Sequence, residues 1–264
     1  MRNYSKTVGA LAAASTLVAG YASAELEGEV HVGYSNMYEF RFVDLGNDLV
    51  EAGADVSYSM GDLAFSGGLW YASSDIPVGI GGIGKVNFDE LDIYAAAHYS
   101  LGNLSFELGY IHYYFPDTGA VLAPLGFVDN TQEVYFGVGY EFDFGLTLGS
   151  TFYYDFDALS GWYWDTSVGY SYAINDCLSL DLAAGVGFAD GHGGQVSAKP
   201  GATGTHDGYQ GFYASVALPW EFREGVTLTP YVKYTNGDSG LATDILGAVG
   251  KDYLVGGVKL AVSF

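Results

Sequence analysis

The residues best placed to do chemistry in this sequence are carboxylates at every second position of alternating segments. Thirteen of them share one parity: Glu27, Glu29, Glu39, Glu51, Asp55, Glu90, Asp92, Glu107, Glu133, Glu141, Asp155, Asp165 and Asp181. Only Arg41, Lys233 and Lys259 among the basic residues accompany them, together with His31 and His98. Side chains two apart on an extended chain point the same way, so these acids gather on one face. In a dry core such a set is prohibitive, because most members would lack a counter-charge. On a wet, concave face it is tenable, and an acidic lining attracts cations. Arg41 lies beside Glu39 on that face, within reach of Glu51 or Asp55 on a neighbouring strand, and is a candidate constriction residue.

Other chemistries are weaker. Gly79-Ile80-Gly81-Gly82-Ile83-Gly84-Lys85 satisfies G-x-G-x-x-G, but that motif needs a strand before it and a helix after it to hold a phosphate. Here Pro77 precedes, Val86 stands where Ser or Thr would bind magnesium, and strand-like sequence follows. His192 and His206 share a glycine-rich segment in which they could meet over a metal, yet zinc sites normally need three or four ligands. His98 and Asp92 are too far apart for a catalytic pair. No strand shows His and Ser at i, i+2 on one face with an orienting third group, as nucleophilic catalysis would require within one strand. His112 has the opposite parity to the acids, and Cys177 reads as a free thiol in a turn. The sequence therefore predicts no catalytic residue, no metal site and no cofactor.

The elements that position the acids are strands. Leu26, Gly28, Val30, Val32, Tyr34, Tyr38 and Phe40 alternate with Glu27, Glu29, His31, Ser35, Glu39 and Arg41, a period of two. The pattern recurs and predicts twelve strands: 26–40, 48–59, 63–73, 88–100, 104–115, 131–141, 146–156, 162–172, 178–188, 208–218, 226–235 and 252–264. Most approach the ~9–11 residues of a tilted transmembrane strand. Short turns at 60–62, 101–103, 143–145 and 175–177, with a longer one at 219–225, alternate with longer connections at 41–47, 74–87, 116–130, 189–207 and 236–251. The connection at 157–161 is short but falls on the long-loop side. Turns at one end and loops at the other are the pattern of an outer-membrane barrel.

Residues 1–24 read as a signal peptide: Arg2 and Lys6 precede an apolar run from Val8 to Val18, and Ala22-Ser23-Ala24 is a cleavage site. The mature domain is then 25–264. The face opposite the acids is aliphatic at mid-strand. Tyr34, Tyr38, Phe40, Tyr99, Tyr114, Tyr140, Tyr154, Trp162, Trp164, Tyr172 and Trp220 collect near strand ends, where two aromatic girdles belong. The alternating terminal segment Val258–Phe264 resembles the strand by which outer-membrane proteins are recognised for assembly. Among 264 residues there are 39 Gly, 23 Tyr and 16 Phe, and the net charge is −22. That balance excludes nucleic acid as a partner, since phosphate binding needs basic clusters. One cysteine excludes a disulfide framework. The fold class is all-β, a transmembrane antiparallel up-and-down barrel of twelve strands.

Tyr38-Glu39-Phe40-Arg41, Asp44-Leu45-Gly46, Val50-Glu51-Ala52-Gly53-Ala54-Asp55 and Leu69-Trp70-Tyr71-Ala72 resemble the opening of the TorF-type putative porins. Phe42 stands where that family usually has Gly, and the resemblance covers about residues 30–75. It implies an outer-membrane barrel presumed to pass small solutes.

From these readings the sequence predicts an outer-membrane passive channel for small hydrophilic solutes, cation-preferring through an acidic lumen. Its pore lining would be Glu29, His31, Glu39, Arg41, Glu51, Asp55, Glu90, Asp92, Glu107, Glu133, Asp155, Asp165, Asp181 and Lys233. Inward Trp70, Tyr94, Tyr135, Tyr153, Tyr163, Tyr213 and Tyr231 would narrow it. The alternative is a non-conducting structural or surface-interaction barrel acting through loops 74–87, 116–130 and 189–207. An outer-membrane lipid enzyme is a third reading, without a nucleophile to support it. The partners expected are outer-membrane lipid and small solutes or cations, and a monomer is compatible with the pattern.

Overall fold

A computed structural model describes residues 21–76, 85–116, 128–198, 204–243 and 252–264. The expected signal peptide lies outside these residues apart from its last four, which continue the first strand. Most of the glycine-rich Gly79–Lys85 motif and parts of four of the longer connections also lie outside them.

The strands are β1 (Tyr21–Phe40), β2 (Val43–Gly61), β3 (Leu63–Ile76), β4 (Val86–Leu101), β5 (Leu104–Tyr114), β6 (Asn130–Glu141), β7 (Leu146–Asp155), β8 (Trp162–Asn175), β9 (Leu178–Asp190), β10 (Gly208–Ala217), β11 (Trp220–Arg223), β12 (Val226–Gly237) and β13 (Asp252–Ser263). Sequence neighbours pair antiparallel, β10 and β11 excepted, and β1 pairs with β13, with Val30 opposite Val262 and Tyr34 opposite Val258. The sheet is thus closed. β10 and β11 are two halves of one stave, since both lie between β9 and β12. They are interrupted at Leu218-Pro219, where proline has no N–H for the ladder. Carbonyls keep the seam joined: the Leu218 N–H donates to Pro230 O at 3.0 Å and the Ser179 N–H to Pro219 O at 3.1 Å. The wall therefore has twelve staves, as the alternation predicts.

The outer face is apolar and exposed. Val32, Val50, Leu69, Ile93 and Phe136 are between 47% and 56% exposed, a surface that hydrocarbon satisfies and water does not. Tyr58, Tyr99, Tyr140, Tyr172 and Trp220 ring the end with tight turns, and Tyr34, Tyr71, Tyr114, Tyr154 and Trp164 ring the other end, all exposed. On the inner face four tyrosines stand directly opposite a glycine on the adjacent strand: Tyr94 and Gly68, Tyr135 and Gly109, Tyr213 and Gly185, Tyr231 and Gly257. A Cβ at any of these glycines would fall 2.2–2.6 Å from the tyrosine ring. Each ring thus lies flat across a bare stretch of backbone, and these four glycines serve that arrangement.

Two connections differ from expectation. The one at 219–225 shrinks to two residues, because β11 extends its stave. The one at 41–47 is a two-residue turn at Arg41-Phe42, with β2 beginning at Val43. Both residues have positive φ, 50° and 71°, the conformation of the tight hairpin turns usually built on Asn-Gly. For ordinary residues it costs roughly 1–2 kcal/mol each. Without the usual turn residues, the tight turn was unreadable. β1 and β2 slip register between Tyr38 and Glu39, and β2 and β3 slip between Asn47 and Val50. Such irregularities bend a strand and increase its twist. They turn the hairpin tip into the barrel.

Candidate functional site

The inward hairpin builds the densest part of the interior. The Arg41 side chain is 6% exposed, and its guanidinium grips Glu133 on β6 with two parallel hydrogen bonds of 2.6 and 2.7 Å. β6 stands five staves from β1 in one direction and seven in the other, so this pair spans the bore. The Glu51 or Asp55 partners expected for Arg41 are replaced by a residue on the far wall. Tyr113 donates its hydroxyl to Glu133 Oε2 at 2.9 Å, and His192 Nε2 lies 3.2 Å from Oε1. The guanidinium also sits 4.6 Å from the Tyr153 ring centroid and 4.5 Å from that of Tyr163, a cation–π arrangement worth about 2 kcal/mol when desolvated.

Phe42, 1% exposed, reaches the wall at β9 and β10, against Tyr213 and the glycines at 187 and 211. Glu39 fixes the turn from behind: it accepts the Phe42 N–H at 2.7 Å, pairs with Lys233 on β12, and accepts the Thr235 hydroxyl at 3.3 Å. The Asp44 N–H donates to Thr243 O at 2.9 Å. Tyr38 and Phe40, expected in the outer girdle, are inside: Tyr38 is buried against Trp70 and Phe88 and donates to Glu90 Oε2 at 2.7 Å. Once the hairpin tip lies within the barrel, both of its faces are interior and parity no longer separates lipid from lumen.

The other inward acids find neutral donors more often than bases. Trp70 Nε1 donates to Glu51 at 3.0 Å, Tyr94 to Asp55, Tyr135 to Glu107 at 2.6 Å, Tyr213 to Asp165 at 3.2 Å and Ser171 to Asp181 at 2.7 Å. Four of the seven aromatics read as narrowing the lumen, Trp70, Tyr94, Tyr135 and Tyr213, are thus also its hydrogen-bond donors to carboxylate. Hydrogen bonds to a charged group contribute about 1.5–3 kcal/mol, which helps to offset the shortage of basic partners. Asp155 has a separate task. It accepts the Thr131 hydroxyl at 2.6 Å and the backbone N–H groups of Asp157 and Ser160 at 2.9 Å each, and so ties down the connection to β8. Glu90 and Asp92 are both buried, and Asp92 Oδ1 has no hydrogen-bond partner among the described residues. His192 and His206 have separate partners, the latter lying 3.0 Å from Asp238.

Towards the tight turns the interior changes character. Across β6 to β9 one row reads Gly139, Gly149, Ser167, Gly185, and across β2 to β4 another reads Ser57, Ser66, Ala96. Against these small side chains stand Glu29, His31, Asp55 and Lys259. Lys259 Nζ is 3.9 Å from Glu29 Oε1. Sequence reasoning placed these residues by parity. It missed the buried Tyr38, Phe42, Gln195, Gln210 and Leu241, for which only Phe42, in the position where the resembled family has Gly, carried a signal.

Residues 19–217 match the family described as "Bacterial protein of unknown function (Gcw_chp)". No curated protein matches the chain. Among solved structures it is similar to the COG4313 outer membrane channel from Pseudomonas putida F1, at 10% identity and a TM-score of 0.54 over 93% of this chain and 97% of that one. It is similar to the KdgM porin in complex with disordered oligogalacturonate, at 11% identity and a TM-score of 0.50 over 90% and 99%. The NanC porin matches at 12% identity and a TM-score of 0.50 over 90% and 98%. At these identities the likeness is one of fold.

Proposed function

The chain belongs to the family described as "Bacterial protein of unknown function (Gcw_chp)", and from that premise we propose that it is an outer-membrane porin-like channel. It passes small hydrophilic solutes without energy input and prefers cations. The observation that carries the reading is the inner face. Inside an apolar outer wall stand carboxylates whose partners are mostly hydroxyls and an indole N–H, leaving a surplus of negative charge over Arg41, Lys233 and Lys259. A ring of acids raises local cation concentration and repels anions. The same field disfavours a carboxylated saccharide such as the one in the KdgM complex. The leader at 1–24 would export the chain through the Sec pathway to the outer membrane.

Planar bilayer recording in a salt gradient tests this. Ohmic steps with a reversal potential displaced towards the cation equilibrium value are expected, and anion preference would overturn the cation assignment. A second reading, a closed surface barrel, is favoured by the hairpin tip latched across the bore. It is upheld if folded protein shows no conductance either intact or after Arg41→Ala.

A further inference from the structure

Two clusters of described residues bring a histidine and two carboxylates within 4.8 Å of one another: Glu133, Asp155 and His192, and Glu29, His31 and Asp55. In the first, Glu133 and His192 already hold a cation, the Arg41 guanidinium, which is bidentate to Glu133 and 3.3 Å from His192 Nε2. The second has the same chemistry without a guanidinium.

We propose that Glu29, His31 and Asp55 form a binding site for a first-row divalent transition-metal ion on the inner wall. Glu29 and Asp55 are cross-strand partners on β1 and β2, and His31 is two residues beyond Glu29 on the same face. The His31 side chain is 10% exposed, and its Nδ1 has no hydrogen-bond partner. That atom points between the two carboxylates, 3.8 Å from Glu29 Oε1 and 3.7 Å from Asp55 Oδ2. These separations are too long for hydrogen bonds. They are slightly longer than the spacing of donors around an ion whose own bonds are about 2.0–2.2 Å. A buried, unpaired ring nitrogen calls for an explanation, and a bound ion is one.

The surroundings hold each donor in place. The His31 ring lies across Gly53, where a Cβ would fall 2.3 Å from Cε1, so only glycine there seats the ring. The Tyr94 hydroxyl occupies Asp55 Oδ1 and leaves Oδ2 turned to the histidine. The two carboxylates are about one-third exposed, so water can complete the coordination. One imidazole with two carboxylates suits zinc, cobalt, manganese or iron better than calcium, whose ligands are all oxygen. Lys259 Nζ lies 3.9 Å from Glu29 Oε1, the oxygen that faces His31, and its charge weakens the site.

The test needs no conduction and so stands or falls apart from the channel reading. Purified, folded full-length barrel in detergent is titrated with Zn2+ by calorimetry and with Co2+ by visible absorbance, folding being verified by heat-modifiable electrophoretic mobility. One saturable ion per chain is expected. His31→Asn and Asp55→Asn should each weaken it at least ~10-fold and remove the cobalt ligand-field bands, while His112→Asn binds as wild type. Absence of saturable binding by the folded wild type overturns the proposal, as does wild-type affinity in folded His31→Asn.

Discussion

The two halves of the bore are built on opposite principles. At the loop end the interior is crowded with large side chains, which close around the β1–β2 hairpin: Phe42, Ile111, Tyr113, Tyr135, Tyr153 and Tyr163 form one cluster with Leu241, and Tyr38, Leu49, Ile76 and Phe88 another. At the turn end glycine, serine and alanine alternate with carboxylates. The same wall, with one strand period throughout, therefore holds a packed core in one half and a polar lining in the other. The difference arises at the loop end, from the inward β1–β2 hairpin joined by Leu241, His192 and Gln195 of the longer connections. The bulged hairpin carries apolar residues inward and gives the loop-end tyrosines something to pack against, while among the described residues nothing comparable enters from the tight turns. On the proposed channel reading, solute selection by charge would belong to the turn half and admission to the loop half.

The comparison is broken most directly at Arg41. Removing one member of a buried ion pair costs about 3–5 kcal/mol, because the other is left uncompensated. Arg41→Ala should relieve that cost by letting the hairpin tip swing out and hydrate Glu133. The Asp44 N–H, bonded to Thr243 O, and the Phe42 N–H, bonded to Glu39, should then exchange with deuterium at least ~100-fold faster, while amides at the turn end are unchanged. Single-channel conductance should rise as well. Unaltered exchange at Phe42 and Asp44 would mean that the bulges, and not the pair, hold the tip.

How much of this was legible follows from which interactions are local. The outward register was, because Val30, Val32 and Val50 announce it within a few residues, and the closed twelve-stave wall followed from repeats of that signal. The parity of the acids was legible for the same reason. Their partners were not. Arg41 meets a glutamate 92 positions away, and parity says which face a residue takes but not which rows of neighbouring strands lie level. The Tyr–Gly pairs were hidden likewise: excess glycine was visible in the composition, but its function needs the cross-strand register. The tip at Arg41-Phe42 was obscured by its chemistry, since two non-glycine residues with positive φ leave no turn signature.

A smaller effect sharpens the comparison from the wall side. Gly109→Val puts a branched side chain where Tyr135 lies, with the ideal Cβ 2.2 Å from the ring. Overpacking of this kind costs typically about 1–3 kcal/mol, and the displaced Tyr135 also loses its 2.6 Å bond to Glu107. Urea titration of the refolded barrel should show the loss. The same substitution at Gly137, whose Cβ would meet nothing nearer than Thr151 Oγ1 at 3.4 Å, should cost less than half as much. Equal losses at the two positions would show that inward glycines matter for backbone freedom and not as seats for tyrosine rings.

The smallest expected effect isolates charge from packing. Tyr94→Phe removes one hydroxyl and leaves the ring over Gly68. Asp55 loses its donor, but it is 36% exposed, so water replaces the bond and the stability change should stay below ~1.5 kcal/mol. Single-channel conductance should hardly change, because no bulk is lost. The reversal potential in a salt gradient should move slightly further towards cations, since a carboxylate released from a hydroxyl presents more of its charge to the bore. A movement towards anions would mean that the tyrosine donors do not shield the acids, and that the negative field of the turn half is set by residues other than Asp55.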